Sequence, residues 1–123
     1  TQVELAATDA RNLGIEAPLR LSGDLVNTPE IKIATENGNT TEIDHGCIVA
    51  KRHIHLSKED AEQLQVATGD EISLKIDTGC GRALTFDEVV VRVGHTRTVV
   101  HLDTDEGNAA STGKSCKGIC FSK

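Results

Sequence analysis

The sequence predicts a mainly β protein, organised as small β-barrel domains with short capping α-helices. Three observations carry that expectation. Short segments alternating apolar and polar residues recur along the chain, and turns rich in Gly, Asn and Asp separate them. Aromatic residues make up only 2% of the 123, and Trp, Tyr and Met are absent, so Val, Ile, Leu and Ala must fill the core. Short strands at regular spacing with a capping helix fit a small barrel.

The elements follow in order. Thr1-Gln-Val-Glu-Leu5 alternates and reads as a strand. Thr8-Asp9 caps a short helical turn over residues 10–13, which Gly14 ends. Pro18 prevents its continuation, and Leu19-Arg-Leu21 runs extended to the turn Ser22-Gly-Asp24. Residues 30–34 alternate, Glu36-Asn-Gly-Asn39 signals a hairpin, and residues 40–43 return. A boundary is expected near Gly46, with residues 1–46 as part of one barrel, residues 47–110 as a second, and residues 111–123 as a tail. The second part begins with a β-branched strand over residues 47–55. Ser57 then caps a helix over residues 58–64, with Asp60 completing a capping box. Gly69-Asp70 turns the chain into residues 71–76, where Ile72, Leu74 and Ile76 alternate. After Gly79-Cys-Gly81, residues 83–86, 88–93 and 98–103 are expected as short strands.

Composition narrows the function. A chain of 123 residues fits one compact domain or two very small ones. The net charge of −6, without a long run of one sign, argues against nucleic-acid binding. No run of about 18 apolar residues is present, and no signal segment opens the chain, so no membrane role is expected and the location is read as cytoplasmic. Opening on Thr1 rather than Met reads as an N-terminally truncated fragment. Cys47, Cys80, Cys116 and Cys120 lack zinc-knuckle spacing and are expected to be reduced, Cys47 as a small core hydrophobe.

His53 and His55 carry the chemistry. On a strand, residues two apart share a face, roughly 6–7 Å apart along the chain, so two imidazoles can converge on one divalent metal. His-x-His is a strand-type chelate, since a helix would need the spacing i, i+4. The pair alone is a weak signal, and its neighbours decide.

Those neighbours carry a resemblance. Thr1-Gln-Val-Glu4, Leu13-Gly-Ile15 with Pro18 and Arg20, Ser22-Gly-Asp24, Lys51-Arg-His-Ile-His-Leu-Ser57 and His101-Leu-Asp-Thr-Asp-Glu-Gly-Asn-Ala109 stand in the order and spacing of the PduL-type phosphotransacylases, the phosphate propanoyltransferase family. The resemblance covers residues 1 to about 110 and leaves the tail unmatched. It implies a zinc enzyme of two β-barrel domains with short capping helices, interconverting acyl-CoA plus phosphate and acyl phosphate plus CoA. It implies two zinc ions per complete site. His53, His55 and His101 would hold one of them, and Glu4 would be a ligand of the other. The second His-x-His pair and a phosphate-binding arginine would come from an N-terminal segment missing here. Coenzyme A, phosphate or acyl phosphate, and that segment are the implied partners, with a homodimer as the assembly and a bacterial microcompartment as a possible setting.

Read from the residues, His101 is flanked by Thr98-Val-Val100 and Leu102 and lies on a strand that could face His53 and His55; three neutral imidazoles leave zinc one open position. The alternative is a strand histidine bonded to its neighbours. Asp103, Asp105 and Glu106 either orient a ligand imidazole or form a solvated turn with Asn108 as a cap. Arg52 points from the opposite strand face, toward a salt bridge or a substrate phosphate. His45 and His95, each in a glycine turn, are expected to be exposed and silent. Two readings compete with the enzyme: a metal-binding barrel without catalysis, and a double-psi-like barrel serving as a cofactor-binding lobe, which needs no histidine triad.

Overall fold

In the computed structural model, which describes residues 1–122, the first elements are short: β1 (Val3–Glu4), α1 (Ala7–Leu13), β2 (Leu19–Arg20), β3 (Ile31–Ala34), β4 (Thr40–Ile43) and β5 (Cys47–Ala50). The apolar strand β5 lies between β1 and β2 and pairs parallel with both, Val3 opposite Cys47 and Leu19 opposite Val49. Cys47, Ile48 and Val49 are buried. Gly46 makes the pairing possible: its carbonyl accepts from Val3 N at 2.8 Å, and a Cβ there would lie 2.5 Å from the Thr1 carbonyl oxygen. Strands β3 and β4 form the expected hairpin, with Gly38 in the left-handed region at φ 82°. Gly14 ends α1 with φ 70°, also as expected. The helix starts earlier than predicted, with Ala6 as an N-cap that supplies no side-chain bond.

The remaining elements are β6 (His53–Leu56), α2 (Lys58–Leu64), β7 (Glu71–Ile76), β8 (Leu84–Val93), β9 (Val99–His101), α3 (Thr104–Ala110) and β10 (Ile119–Ser122). They build one five-stranded sheet in the order β10-β7-β8-β6-β9, parallel between β6 and β8 and antiparallel elsewhere. Ile54 and Leu56 of β6, Ile72, Leu74 and Ile76 of β7, and Phe86, Val89 and Val91 of β8 form its core, with Ala61 of α2 and Ala110 of α3. Strands β6 and β7 contribute every second residue to this core, the period of a pleated sheet with one buried face, and β8 does so on either side of one interruption between Phe86 and Val89.

Several expectations need correction. The chain divides into compact units after Lys51, not at Gly46. The expected strand over residues 47–55 is broken there: Lys51 N donates to Arg20 O in the first unit, while the Arg52 carbonyl accepts from Val90 N in the second. Residues 83–86 and 88–93 belong to one strand, β8, bent by a bulge in which Asp87 and Glu88 face the single residue Ser73. Glu88 takes φ 57°, and the Ser73 hydroxyl donates to the Asp87 carboxylate at 2.5 Å. The strand expected over 98–103 stops at His101, and a third helix follows. Part of the expected tail forms β10 against β7, entered through Gly118, where a Cβ would meet Leu74 Cδ1 at 2.6 Å. No ladder among the described residues joins β9 to β10, so this sheet is open rather than a closed barrel; the fold is mainly β with three short helices. None of those helices is long and apolar enough to cross a membrane.

Candidate metal centre

Strand β6 separates two chemistries by alternation. Ile54 and Leu56 turn into the core, which leaves His53 and His55 on the opposite face. The antiparallel ladder to β9 places His101 directly opposite His53 and Val99 opposite His55. Facing residues in such a pair have Cβ atoms about 4.5–5.5 Å apart, close enough for two imidazoles to share a ligand. Val100 turns inward against the core, which fixes the outward direction of His101 on the same strand.

The three rings gather as this register requires. Ring centroids are 5.0 Å apart for His53–His55, 4.8 Å for His53–His101 and 4.7 Å for His55–His101. One nitrogen from each ring lies within 4.8 Å of the others, and among the described residues these are the only three His, Cys, Asp or Glu side chains that gather so. Tetrahedral zinc with Zn–N bonds of about 2.0–2.1 Å needs nitrogens roughly 3.3 Å apart, so the three rings would close in on a bound ion. The donor set fits zinc. His53 and His55 are half-buried and His101 is exposed, so the cluster is open on the solvent side. Burial lowers the pKa of His55, with His95, His101, His53 and Arg92 acting in the same direction. That direction favours the neutral ring, the form that ligates.

The neighbouring charged residues serve the scaffold. Arg52 Nη1 pairs with the Glu106 carboxylate at 2.9 Å, its Nε donates to the Asp87 carbonyl at 2.7 Å, and its guanidinium lies 5.4 Å from the Phe86 ring centroid. Glu106 also accepts from Asp103 N, and Asp103 accepts from Glu106 N at 2.8 Å, closing a capping box on α3. Asp103, not Asn108, is therefore the cap. Asp105 lies in the first turn of the same helix. Arg52 directly precedes His53 and α3 follows His101, so this pair ties together the segments that carry two of the three rings. Glu4 stands exposed on β1 in the other unit, accepting from Gln2 Nε2 at 2.7 Å. His45 is exposed and bonded to Asp44. His95 departs from expectation: exposed as predicted, it nevertheless stacks on His55 with centroids 3.9 Å apart.

On α2, Ser57 accepts from Asp60 N at 3.2 Å, as predicted, but the Asp60 carboxylate accepts from Thr98 Oγ1 rather than completing a box. Ser57 N donates to that same Thr98 hydroxyl. A cavity of about 750 Å³ lies away from the imidazoles, lined by Leu74, Val100, Asn108 and Lys114 among others. The convergent nitrogens, rather than this cavity, mark the chemical site.

Comparison with known proteins agrees with the motif. The sequence profile of the phosphate propanoyltransferase family matches residues 1–113. The phosphate propanoyltransferase of Citrobacter rodentium is 51% identical over 111 residues, covering 89% of this chain and 52% of that protein. That of Clostridioides difficile is 45% identical over 115 residues, covering 93% and 54%. The Listeria monocytogenes protein of the same name is 43% identical over 124 residues, covering 100% and 57%. The chain thus spans about half the length of the curated relatives it matches. With profile and relatives agreeing over nearly all of its residues, the chain belongs to the phosphate propanoyltransferase family.

Proposed function

We propose that His53, His55 and His101 hold one zinc ion, and that the chain is the zinc-carrying part of an enzyme interconverting acyl-CoA plus phosphate with acyl phosphate plus CoA. The observation that carries this reading is the register of His53 opposite His101, with His55 on the same face. Three neutral imidazoles leave a fourth tetrahedral position open, the arrangement of catalytic rather than structural zinc sites. Zinc bound there would favour the thiolate form of CoA and offset negative charge developing on an acyl or phosphoryl oxygen. The protein's own contribution is placement. The sheet turns the imidazoles to solvent, where a large thiol substrate can approach, and Arg52 with Glu106 fixes the segments bearing His53 and His101.

The remainder of the reading extends beyond these residues. Glu4 would contribute to a second zinc, whose His-x-His pair and phosphate-binding arginine lie in the part of the family's length outside this sequence. In the whole protein the open sheet would form the wall of a barrel, and the enzyme would be cytoplasmic, with encapsulation in a microcompartment as its setting. Because the chain covers about half of its relatives, the isolated chain is best read as a metal binder that is weak or inactive alone.

Two measurements test this. Elemental analysis should find zinc bound by the purified chain and sharply reduced in His55→Ala; unchanged zinc in that variant overturns the ligand assignment, and no zinc in either favours a cofactor lobe. CoA-dependent consumption of acetyl or propanoyl phosphate should be low for the chain alone and rise when the family's preceding segment is added. Acyl transfer needs both substrates held together, and losing such placement removes several kcal/mol of barrier lowering. Full activity from the chain alone would refute the division of the site.

A further inference from the structure

His55 does not share the plane of its two companions. The His53 and His101 rings are within 8° of parallel, whereas His55 is inclined by 40° to one and 47° to the other. Its plane is matched instead by a fourth ring. His95 lies 11° from parallel with His55, at a centroid distance of 3.9 Å. That contact is closer than any between the three clustered rings.

The loop that presents His95 is fastened to the strand that presents His55. Gly94 N and His95 N both donate to the carbonyl of Leu56, at 3.0 and 3.2 Å, and Leu56 directly follows His55. At the other end of the loop, Thr98 Oγ1 accepts from Ser57 N at 3.4 Å and donates to the Asp60 carboxylate at the start of α2. Gly94 adopts φ 111°, the left-handed conformation that lets the chain turn back immediately after β8. The two ends of this short loop are therefore held by residues 56–60, and these bonds, which involve no metal, hold the backbone from which the His95 ring stacks on His55.

We propose that His95 is a positioning residue for His55: its ring fixes the plane of that imidazole, and with it the direction of the donor nitrogen, without itself ligating. The inference rests on reading the three-histidine cluster as a metal centre. Rotation of an imidazole about χ2 is broad and roughly two-fold, so a half-exposed ligand histidine samples many orientations unless a neighbour restrains it. A parallel ring against one face restrains that rotation before metal arrives and lowers the ordering cost of binding. His95 lies outside the group of nitrogens that converge among the described residues, which separates its role from that of His53, His55 and His101. Ligand histidines are usually oriented by a hydrogen bond from the second ring nitrogen; here a stacked ring takes that part for His55.

The test compares the 123-residue chain with His95→Ala, His95→Phe and His55→Ala. Zinc affinity is measured by competition with a chromophoric chelator, and ligand geometry by the visible absorption of the cobalt-substituted chain. His95→Ala should weaken zinc by about tenfold or more, the usual effect of removing a group that orients a ligand, and should shift the cobalt bands. His95→Phe should restore both, because a phenyl ring stacks but cannot ligate. Thermal midpoints in excess chelator should be alike for the unsubstituted chain and both His95 variants, since the side chain lies at the surface. Unchanged affinity and spectrum in His95→Ala would overturn the proposal, as would a phenylalanine variant no better than the alanine one. Loss of zinc in His55→Ala, alongside an unaffected His95→Ala, would leave the metal centre standing and remove only the role of His95. An unsubstituted chain that binds no zinc would overturn the metal centre itself, and this inference with it.

Discussion

His53 and His101 meet because β6 and β9 are adjacent and antiparallel, and no rearrangement of side chains is needed to bring them face to face. Removing either ring should leave two imidazoles and weaken zinc strongly, with little effect on folding in the absence of metal; chelator competition and a metal-free thermal melt check the two halves of that expectation. The thiols offer a second residue-scale test. Thr78 and Ser111 bond to the Cys80 sulfur and lower its pKa, whereas burial and the nearby Asp60 raise that of Cys120, and burial raises that of Cys47. The thiolate is the reactive form, so iodoacetamide should label Cys80 first and continue to do so as pH is lowered, while Cys47 and Cys120 lag. Peptide mapping of the alkylated chain over time reads the order; faster labelling of Cys47 than of Cys80 would contradict it. At this scale the His-x-His pair was legible because a period of two needs only a strand. His95 was not, because its place depends on the parallel pairing of β6 with β8, which brings Val93 beside Leu56 and cannot be read from local spacing.

At the scale of elements, α3 is a small unit with a defined lock. Asp103 caps it, Glu106 closes the box, and the same Glu106 holds Arg52. Asp103→Ala should lower stability by about 1 kcal/mol through loss of the cap. Glu106→Ala should cost about 1–3 kcal/mol, since it removes the reciprocal bond and leaves a partly buried guanidinium without its carboxylate. A double-mutant cycle on Arg52 and Glu106, followed by chemical denaturation, should return a coupling well above that of an exposed pair; a value near zero would refute the lock. The pattern for α3 is present in the sequence as Asp103-x-x-Glu106, but acids at that spacing beside a histidine equally fit a solvated turn or partners that orient a ligand imidazole. The break at Lys51 was hidden for a different reason. A β-branched run is extended whichever sheet it joins, and only the partners Arg20 and Val90 divide it. Strand β10 was masked by Gly, Ser and Lys, residues that resemble a loose tail until Gly118 is seen to admit the Leu74 side chain.

For the whole molecule, the two units differ in what stabilises them. The unit from Arg52 onward has a continuous apolar core drawn from several strands and two helices. The first unit buries chiefly Ala10 and the residues of β5, and it carries four of the exposed large hydrophobics: Leu13, Leu19, Val26 and Ile33. Amide exchange should accordingly be slowest in β6, β7 and β8 and faster throughout β1 to β4, as local opening free energy follows buried contact. Mass spectrometry of exchanging peptides checks this, and uniform protection across both units would contradict it. The mainly β character was legible from turn spacing and composition, while barrel closure was not, since alternation reports a sheet's two faces and says nothing about whether its edges meet.

The bulge in β8 has a further consequence. Before it, the inward residues are Leu84 and Phe86; after it, they are Val89, Val91 and Val93. The strand passes from even to odd positions at Asp87 and Glu88, so the extra residue acts as a phase shift in the pleat. Loss of one residue there would present the wrong face of β8 to one of its two neighbours, whereas loss or gain of two would preserve the parity. Sequence length at this point is therefore constrained more tightly than sequence identity. Relatives that differ here should vary in which residues they carry while keeping count, because the strand bearing His53 and His55 is aligned against the half of β8 that follows the shift.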